Sequence, residues 1–422
     1  MKAHSIQGLP EWAKGAVIYQ VNTRQFTPEG TFNAFAKHLP RIKALGAKIL
    51  WFMPAHPIGK VRRKGGLGSY YAISDYNEIN PEFGTRDDFK RLVEQIHDLD
   101  MKVLMDLVVN HTAWDHPWVA QHPDWYQKDA DGNIILGDPD WDDTAKLNYD
   151  NKELCDAVSA MMQGWVRDYD IDGYRCDVAH FVPAHFWKRA IPELHQIKPV
   201  FMLAESDDPW LHHAGFHMTY STWLYRRWNA IAAGKRAVSG IDDLLRKEKR
   251  EFPPEAVRMR FTSNHDENSW LDPAPIRLGK EGSKAFAVLT FTLPGMPLIY
   301  NGQEVGLDKR LLFFDKDEIE WNYDSEYNSF YQGLVKLYTE TPALYAGNMV
   351  IKSRDPIFTF VREYQGQQVL VAINLTGNRQ RVRISSRGLK KELRDVLSGS
   401  SLVENERYFD IDLDPWQYGI YR

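Results

Sequence analysis

Eight short apolar runs, each followed by an amphipathic stretch, narrow the folds open to this chain more than any other feature. They are AVIYQVN from Ala16, AKILWFM from Ala47, KVLMDLVV from Lys102, GYRCDV from Gly173, VFMLAE from Val200, HMTYS from His217, RMRFTS from Arg258 and MPLIYNG from Met296. Most are apolar at successive positions, as strands covered on both faces must be. Between them the period lengthens. In TRDDFKRLVEQIHDLD, Phe89, Leu92, Val93, Ile96 and Leu99 recur at three- and four-residue spacing, with Thr85 placed to cap the helix. TFNAFAKHLPRIKALG and NKELCDAVSAMMQGWVRDYD read as helices in the same way. Strand and helix alternating eight times predict a (β/α)8 TIM barrel.

Two segments break the alternation. The connection after the third strand, residues 111–149, is too long for a plain loop and carries Trp114, Trp118, Trp125, Tyr126 and Trp141. Connections of that length are usually functional, and a small inserted domain is expected there. Beyond residue 345 the helical period disappears. FTFVRE, QQVLVAINLT, RQRVRIS, KELRDVL and YFDIDLDPWQYGIYR read as strands joined by polar turns. The expected organisation is a barrel from 1–110 and 150–345, an insert at 111–149, and an antiparallel β-sandwich domain at 346–422.

Charge and composition exclude some classes. The net charge of −5 provides no basic field, so neither nucleic acid nor an anionic membrane is an expected partner. No apolar run is long enough to span a bilayer. The first residues, MKAHSIQGLPEWAKG, lack the apolar core of a signal peptide. The expected compartment is therefore the cytoplasm, or the periplasm or exterior if a signal has been removed. Cys155 and Cys176 are too few for a disulfide framework and read as reduced packing thiols. Aromatic residues reach 13%, with 14 Trp, an excess that suits the apolar C–H faces of sugar rings.

Barrels of this kind carry their chemistry at the C-terminal ends of the strands. Here those ends hold Asp106 and then Asn110–His111, Arg175–Cys176–Asp177, Glu205, and Asn264–His265–Asp266–Glu267. Buried charges are costly without partners, so their recurrence at one end predicts a site. Glycoside hydrolysis needs two carboxyl groups flanking one carbon. Arg175 and Asp177, two apart on a strand, share a face, and the guanidinium is expected to keep Asp177 ionised and nucleophilic. Glu205, beneath an apolar run, is expected to have the raised pKa of a general acid.

DLVVNH (106–111), GYRCDVAH (173–180), LAES (203–206) and FTSNHDEN (261–268) resemble, in order, the four short signature regions of the α-amylase family, glycoside hydrolase family 13. AKLNYD (145–150) and GSYYAISDYNEINPEFGT (68–85) resemble further family segments. The resemblance implies a retaining hydrolase of α-glucosidic bonds with Asp177 as nucleophile, Glu205 as acid/base and Asp266 as a third carboxylate that binds and distorts the sugar. It also implies that Arg175 sits beside the nucleophile, that His111 and His265 bond the sugar, that Tyr71 stacks under it, and that His180 reaches the leaving-group sugar. The implied partner is an α-glucan or oligosaccharide; the oligomeric state is left open.

The family pattern is not followed everywhere. Relatives with a structural Ca2+ use an Asn matching Asn110, loop carboxylates and a backbone carbonyl. Here Asn148 stands where an Asp ligand would be, and Phe181 where a His is usual. KLN resembles neopullulanases and cyclomaltodextrinases, which lack that site. No cofactor is expected to be required, with a structural calcium at Asn110 left open. DADGN (129–133) reads first as a solvated turn. Ala72 follows Tyr71 where exo-glucosidases carry an Asp, which argues against an α-glucosidase. The alternatives are a neopullulanase- or cyclomaltodextrinase-like hydrolase, an α-glucosidase or transglucosylase, and, in another class, a non-catalytic carbohydrate-binding protein.

Overall fold

The computed structural model describes residues 8–422; the first seven residues of the stretch read for targeting signals lie outside them. All eight apolar runs form strands: β1 Ile18–Val21, β2 Ile49–Phe52, β3 Lys102–Leu107, β4 Gly173–Cys176, β5 Phe201–Ala204, β6 Met218–Tyr220, β7 Val257–Arg260 and β8 Met296–Tyr300. They close in sequence order into a barrel, as the alternation predicts. Every residue of β1, β2, β4, β5 and β8 is buried, which explains the unbroken apolar runs. Gly173 opens β4 at φ +145°, where a Cβ would stand 1.9 Å from the Phe201 carbonyl oxygen, so no other residue fits.

Helix α1 (Arg86–Asp98) starts at a full capping box of Thr85 and Asp88 and buries Phe89, Leu92, Val93 and Ile96. Helix α2 (Lys152–Tyr169) is capped by the Asn151 side chain, which accepts from the N–H groups of Glu153 and Leu154. The stretch around Pro40 differs from expectation. It forms two short helices, Phe32–Ala36 and Leu39–Leu45, with Pro40 in the first turn of the second. Proline lacks an N–H and is best accommodated in a first turn, where that N–H has no intrahelical partner, and here the helix restarts at that point.

The chain divides into two compact units. One comprises Ile18–Tyr220 with Leu311–Glu320, and the other Ser221–Arg310 with Trp321–Arg422. Within the first, the segment after β3 opens with a hairpin of His111–Ala113 against Thr144–Lys146. Trp118 and Trp125 pack on each other at 5.0 Å between ring centres, and the indole of Trp118 also meets Tyr76. These tryptophans are scaffold. Both cysteines are buried and unbonded.

In the second unit, β9 (Asn348–Ser353), β10 (Phe358–Tyr364) and β11 (Gln367–Ile373) form an antiparallel sheet completed by Tyr418–Tyr421. Two further antiparallel pairs, Gln380–Ser385 with Tyr408–Leu413 and Glu392–Arg394 with Ser401–Val403, complete the C-terminal strands. Val361, Leu370, Ile384, Phe409 and Ile411 share one core. Arg362 of β10 donates to the Thr292 carbonyl at 2.6 Å. Among the described residues, no helix is long and apolar enough to cross a membrane.

At the N-terminal end of β4, Asp172 is wholly buried and held by His97 at 2.7 Å, Lys102 and Lys198 at 3.1 Å, and the Val103 N–H at 2.9 Å. Burial alone would raise its pKa, but His97, Lys198 and Val103 outweigh it and hold it at about 2. A depressed carboxylate pKa stabilises the fold above the ordinary value and loses that contribution as pH falls toward 2. Removing one partner of a buried ionic cluster costs about 3–5 kcal/mol. Asp172→Ala is therefore expected to lower Tm, with the difference shrinking in acid, while activity per folded molecule is unchanged. Calorimetry at pH 7 and pH 3 checks it.

Candidate active site

Strand register brings the site of the first unit together. Asp106 on β3 pairs directly with Arg175 on β4, and Arg175 with Leu203 on β5, two residues before Glu205. Paired residues point the same way, so Asp106, Arg175 and, two positions on, Asp177 occupy one face. The Arg175 guanidinium then meets three carboxylates. Its Nη1 lies 2.7 Å from Asp106 and 2.9 Å from Asp177, and its Nη2 lies 2.8 Å from Glu205. Its Nε donates to the Tyr220 hydroxyl at 3.2 Å, and the rings of Trp51, Tyr71 and Tyr220 surround it at 5.1–5.7 Å.

Accessibility sorts the carboxylates. The side chain of Asp106 is 0% exposed, that of Asp177 10% and that of Glu205 23%. Asp106 therefore cannot touch a substrate. It is a brace whose second oxygen accepts from the Trp51 indole and the Tyr71 hydroxyl, both at 3.1 Å. Asp177 and Glu205 reach the open side. The backbone N–H of Val178, in the left-handed region at φ +35°, donates to Glu205 Oε2 at 2.9 Å.

The electrostatics correct one expectation. Arg175 does favour ionised Asp177, but burial and the neighbouring Glu205 outweigh it and raise the Asp177 pKa above its ordinary value. Burial likewise pushes Asp106 up to about 6 against the pull of Arg175. One guanidinium is shared three ways and cannot neutralise three carboxylates. The cluster therefore retains a proton, and Asp177 and Glu205 are in hydrogen-bonding contact across it. A pair of carboxyls holding one proton is equipped to supply an acid and a nucleophile together.

Tyr71 is half-buried, and its ring lies nearly parallel to Phe313 at 6.2 Å. His111 stands behind it. Its Nε2 donates to the Tyr71 carbonyl at 3.2 Å, its Nδ1 accepts from the Asn110 amide at 3.1 Å, and Trp141 packs on its ring. Burial lowers its pKa to about 4, so it is neutral at pH 7. Nε2 thus holds the Tyr71 backbone, while Nδ1 is held by Asn110. His180, in the turn after Asp177, is exposed and packs on Phe181.

His265 and Asp266 lie in the second unit, where β7 gives way to a short helix, His265–Trp270, capped by Asn264. His265 is buried, with its Nε2 3.3 Å from the Asp266 carboxylate, which is 38% exposed. Glu267 turns the other way and accepts from the Tyr225 hydroxyl. Sequence reasoning noticed Asp106 at its strand end but assigned it no role, and missed Trp51, Tyr220 and Phe313 altogether. Only lateral register and long-range packing reveal these four.

Asn110 turns its amide N–H, a donor, toward the Gly137 carbonyl at 3.3 Å. Asp129 in the DADGN turn accepts from the N–H groups of Asp131 and Asn133. Among the described residues no three His, Cys, Asp or Glu side chains group as metal ligands.

A closed parallel barrel with carboxylates clustered at its C-terminal strand ends defines the class of barrel glycoside hydrolases. The family model of the α-amylase catalytic domain matches residues 14–132, and that of the α-amylase C-terminal domain matches 347–421. The crystal structure of a maltogenic α-amylase from Thermotoga neapolitana superposes with a TM-score of 0.90 at 30% identity, covering 97% of this chain and 99% of that one. An α-amylase from Lactobacillus plantarum gives 0.88 at 31% identity with the same coverage. The α-amylase MalA of Haloarcula japonica is 29% identical over 394 residues, 86% of this chain but 56% of its own length. The chain thus spans little more than half of that relative. It belongs to the α-amylase family, glycoside hydrolase family 13.

Proposed function

We propose that this chain hydrolyses α-1,4-glucosidic bonds in starch-type glucans or maltooligosaccharides with retention of configuration. Asp177 attacks the anomeric carbon while Glu205 protonates the departing glycosidic oxygen, and a covalent glycosyl-enzyme forms. Glu205, now a carboxylate, takes a proton from water as that water displaces Asp177. Asp266, at the end of β7, is assigned to the sugar hydroxyls, and Tyr71 to the sugar face. The observation that carries this reading is the contact of Asp177 and Glu205 across one guanidinium. Two carboxyls held on one guanidinium support retention, for which about 5–5.5 Å between them is expected, against about 6.5–9.5 Å for inversion.

Product analysis on maltoheptaose, pullulan and cyclodextrin tests the substrate. Release of short maltooligosaccharides from maltoheptaose is expected. Activity confined to pullulan or cyclodextrin would move the assignment to a neopullulanase- or cyclomaltodextrinase-like enzyme. That second reading is favoured by the maltogenic character of the Thermotoga relative and by Asn148.

No metal is assigned a role. Activity is expected to survive exhaustive chelation with less than about a twofold loss, because two carboxyl groups suffice for the chemistry. Activity lost in chelator and restored by Ca2+ would overturn that expectation.

A further inference from the structure

Trp270 is 53% exposed. An exposed indole offers a flat apolar face with a polar N–H at its edge, a surface suited to packing against a ring. Its position gives the exposure a direction. The helix His265–Trp270 follows directly on the C-terminal end of β7, so it lies on the face where barrels of this kind bind substrate. Asp266 and Trp270 are four residues apart on that helix, and residues at this spacing share a face. Leu271 and Ile276, further along the chain, are also exposed, at 44% and 58%. A half-exposed indole beside a 38% exposed carboxylate pairs a flat apolar platform with a hydroxyl acceptor. Pyranose rings present both complements: an apolar C–H face and equatorial hydroxyls.

We infer that Trp270 is a specificity-determining residue, stacking against a glucose unit of the α-glucan chain other than the one being cleaved. The inference rests on the proposed function, because it takes Asp266 to face the sugar.

The test compares kcat/KM across chain lengths for wild type, Trp270→Ala and Trp270→Phe. The substrates are an aryl α-maltoside and maltooligosaccharides of three to seven glucose units. Wild type should gain efficiency with length. Trp270→Ala should lose about three- to tenfold on the longest chains, as expected for one aromatic stack, mostly in KM. It should lose little on the aryl maltoside, and Trp270→Phe should recover part of the loss. Melting temperature and sedimentation should match wild type. Equal losses at every length, or a changed association state with unchanged length dependence, would overturn the inference while leaving the proposed function intact. Wild-type inactivity on every one of these substrates would overturn both.

Discussion

Asp177→Ala is expected to lose turnover on every glycoside by about 10^5-fold or more, because no covalent intermediate can form without it. The loss should fall on kcat and be independent of the leaving group. Stability should move the other way. Asp177 is buried beside Glu205 and Asp106, and its pKa is raised in the fold. A raised carboxylate pKa means that ionisation costs stability, and the cost grows as pH rises through the folded value. Asp177→Asn keeps the shape and removes the charge. Its Tm at neutral pH should equal or exceed that of wild type, with the gain vanishing in acid. A Tm well below wild type would mean that Asp177 serves the fold as an ion-pair partner of Arg175 and not the chemistry.

Glu205→Gln is expected to divide substrates by leaving group. The variant keeps Asp177 free to attack but has no proton for the departing oxygen. A maltooligosaccharide needs that proton, and its first step should slow by about 10^2–10^4-fold. An α-glucosyl fluoride departs almost unaided, so its first step should be impaired far less. Its second step should then stall, since water also needs Glu205 as base. Asp266→Asn should damage both substrates alike, because its assigned role is on the sugar and not on the leaving group. Burst kinetics on the two substrates measure the difference. Equal impairment of the Glu205 variant on both would remove Glu205 from the acid role.

The barrel was legible because strands buried on both faces are mostly apolar, and β1, β2, β4, β5 and β8 are buried at every position, with Gln20 and Arg175 the polar exceptions. The reacting residues were legible because a charge at the end of such a strand stands out. Three things were not. The helix around Pro40 splits because one ring removes one hydrogen bond, a local effect that the apolar period hides. The three-way sharing of Arg175 depends on which residue of β3 lies beside which residue of β4, and a strand's own pattern carries no lateral register. For the same reason the residues around the guanidinium, Trp51 and Tyr220, looked like ordinary core. The aromatic excess also read ambiguously: Trp118 and Trp125 pack on one another, whereas Trp270 is 53% exposed, and composition does not distinguish them.

The central claim is that Asp177 forms a bond to the sugar. The direct measurement is to react Glu205→Gln with α-glucosyl fluoride, quench, digest and map the mass increment by tandem mass spectrometry. One hexosyl unit on the peptide carrying Asp177, attached at that carboxylate and absent from Glu205→Gln/Asp177→Ala, is the expected result. A hexosyl unit on any other residue, or on the double variant, would contradict it.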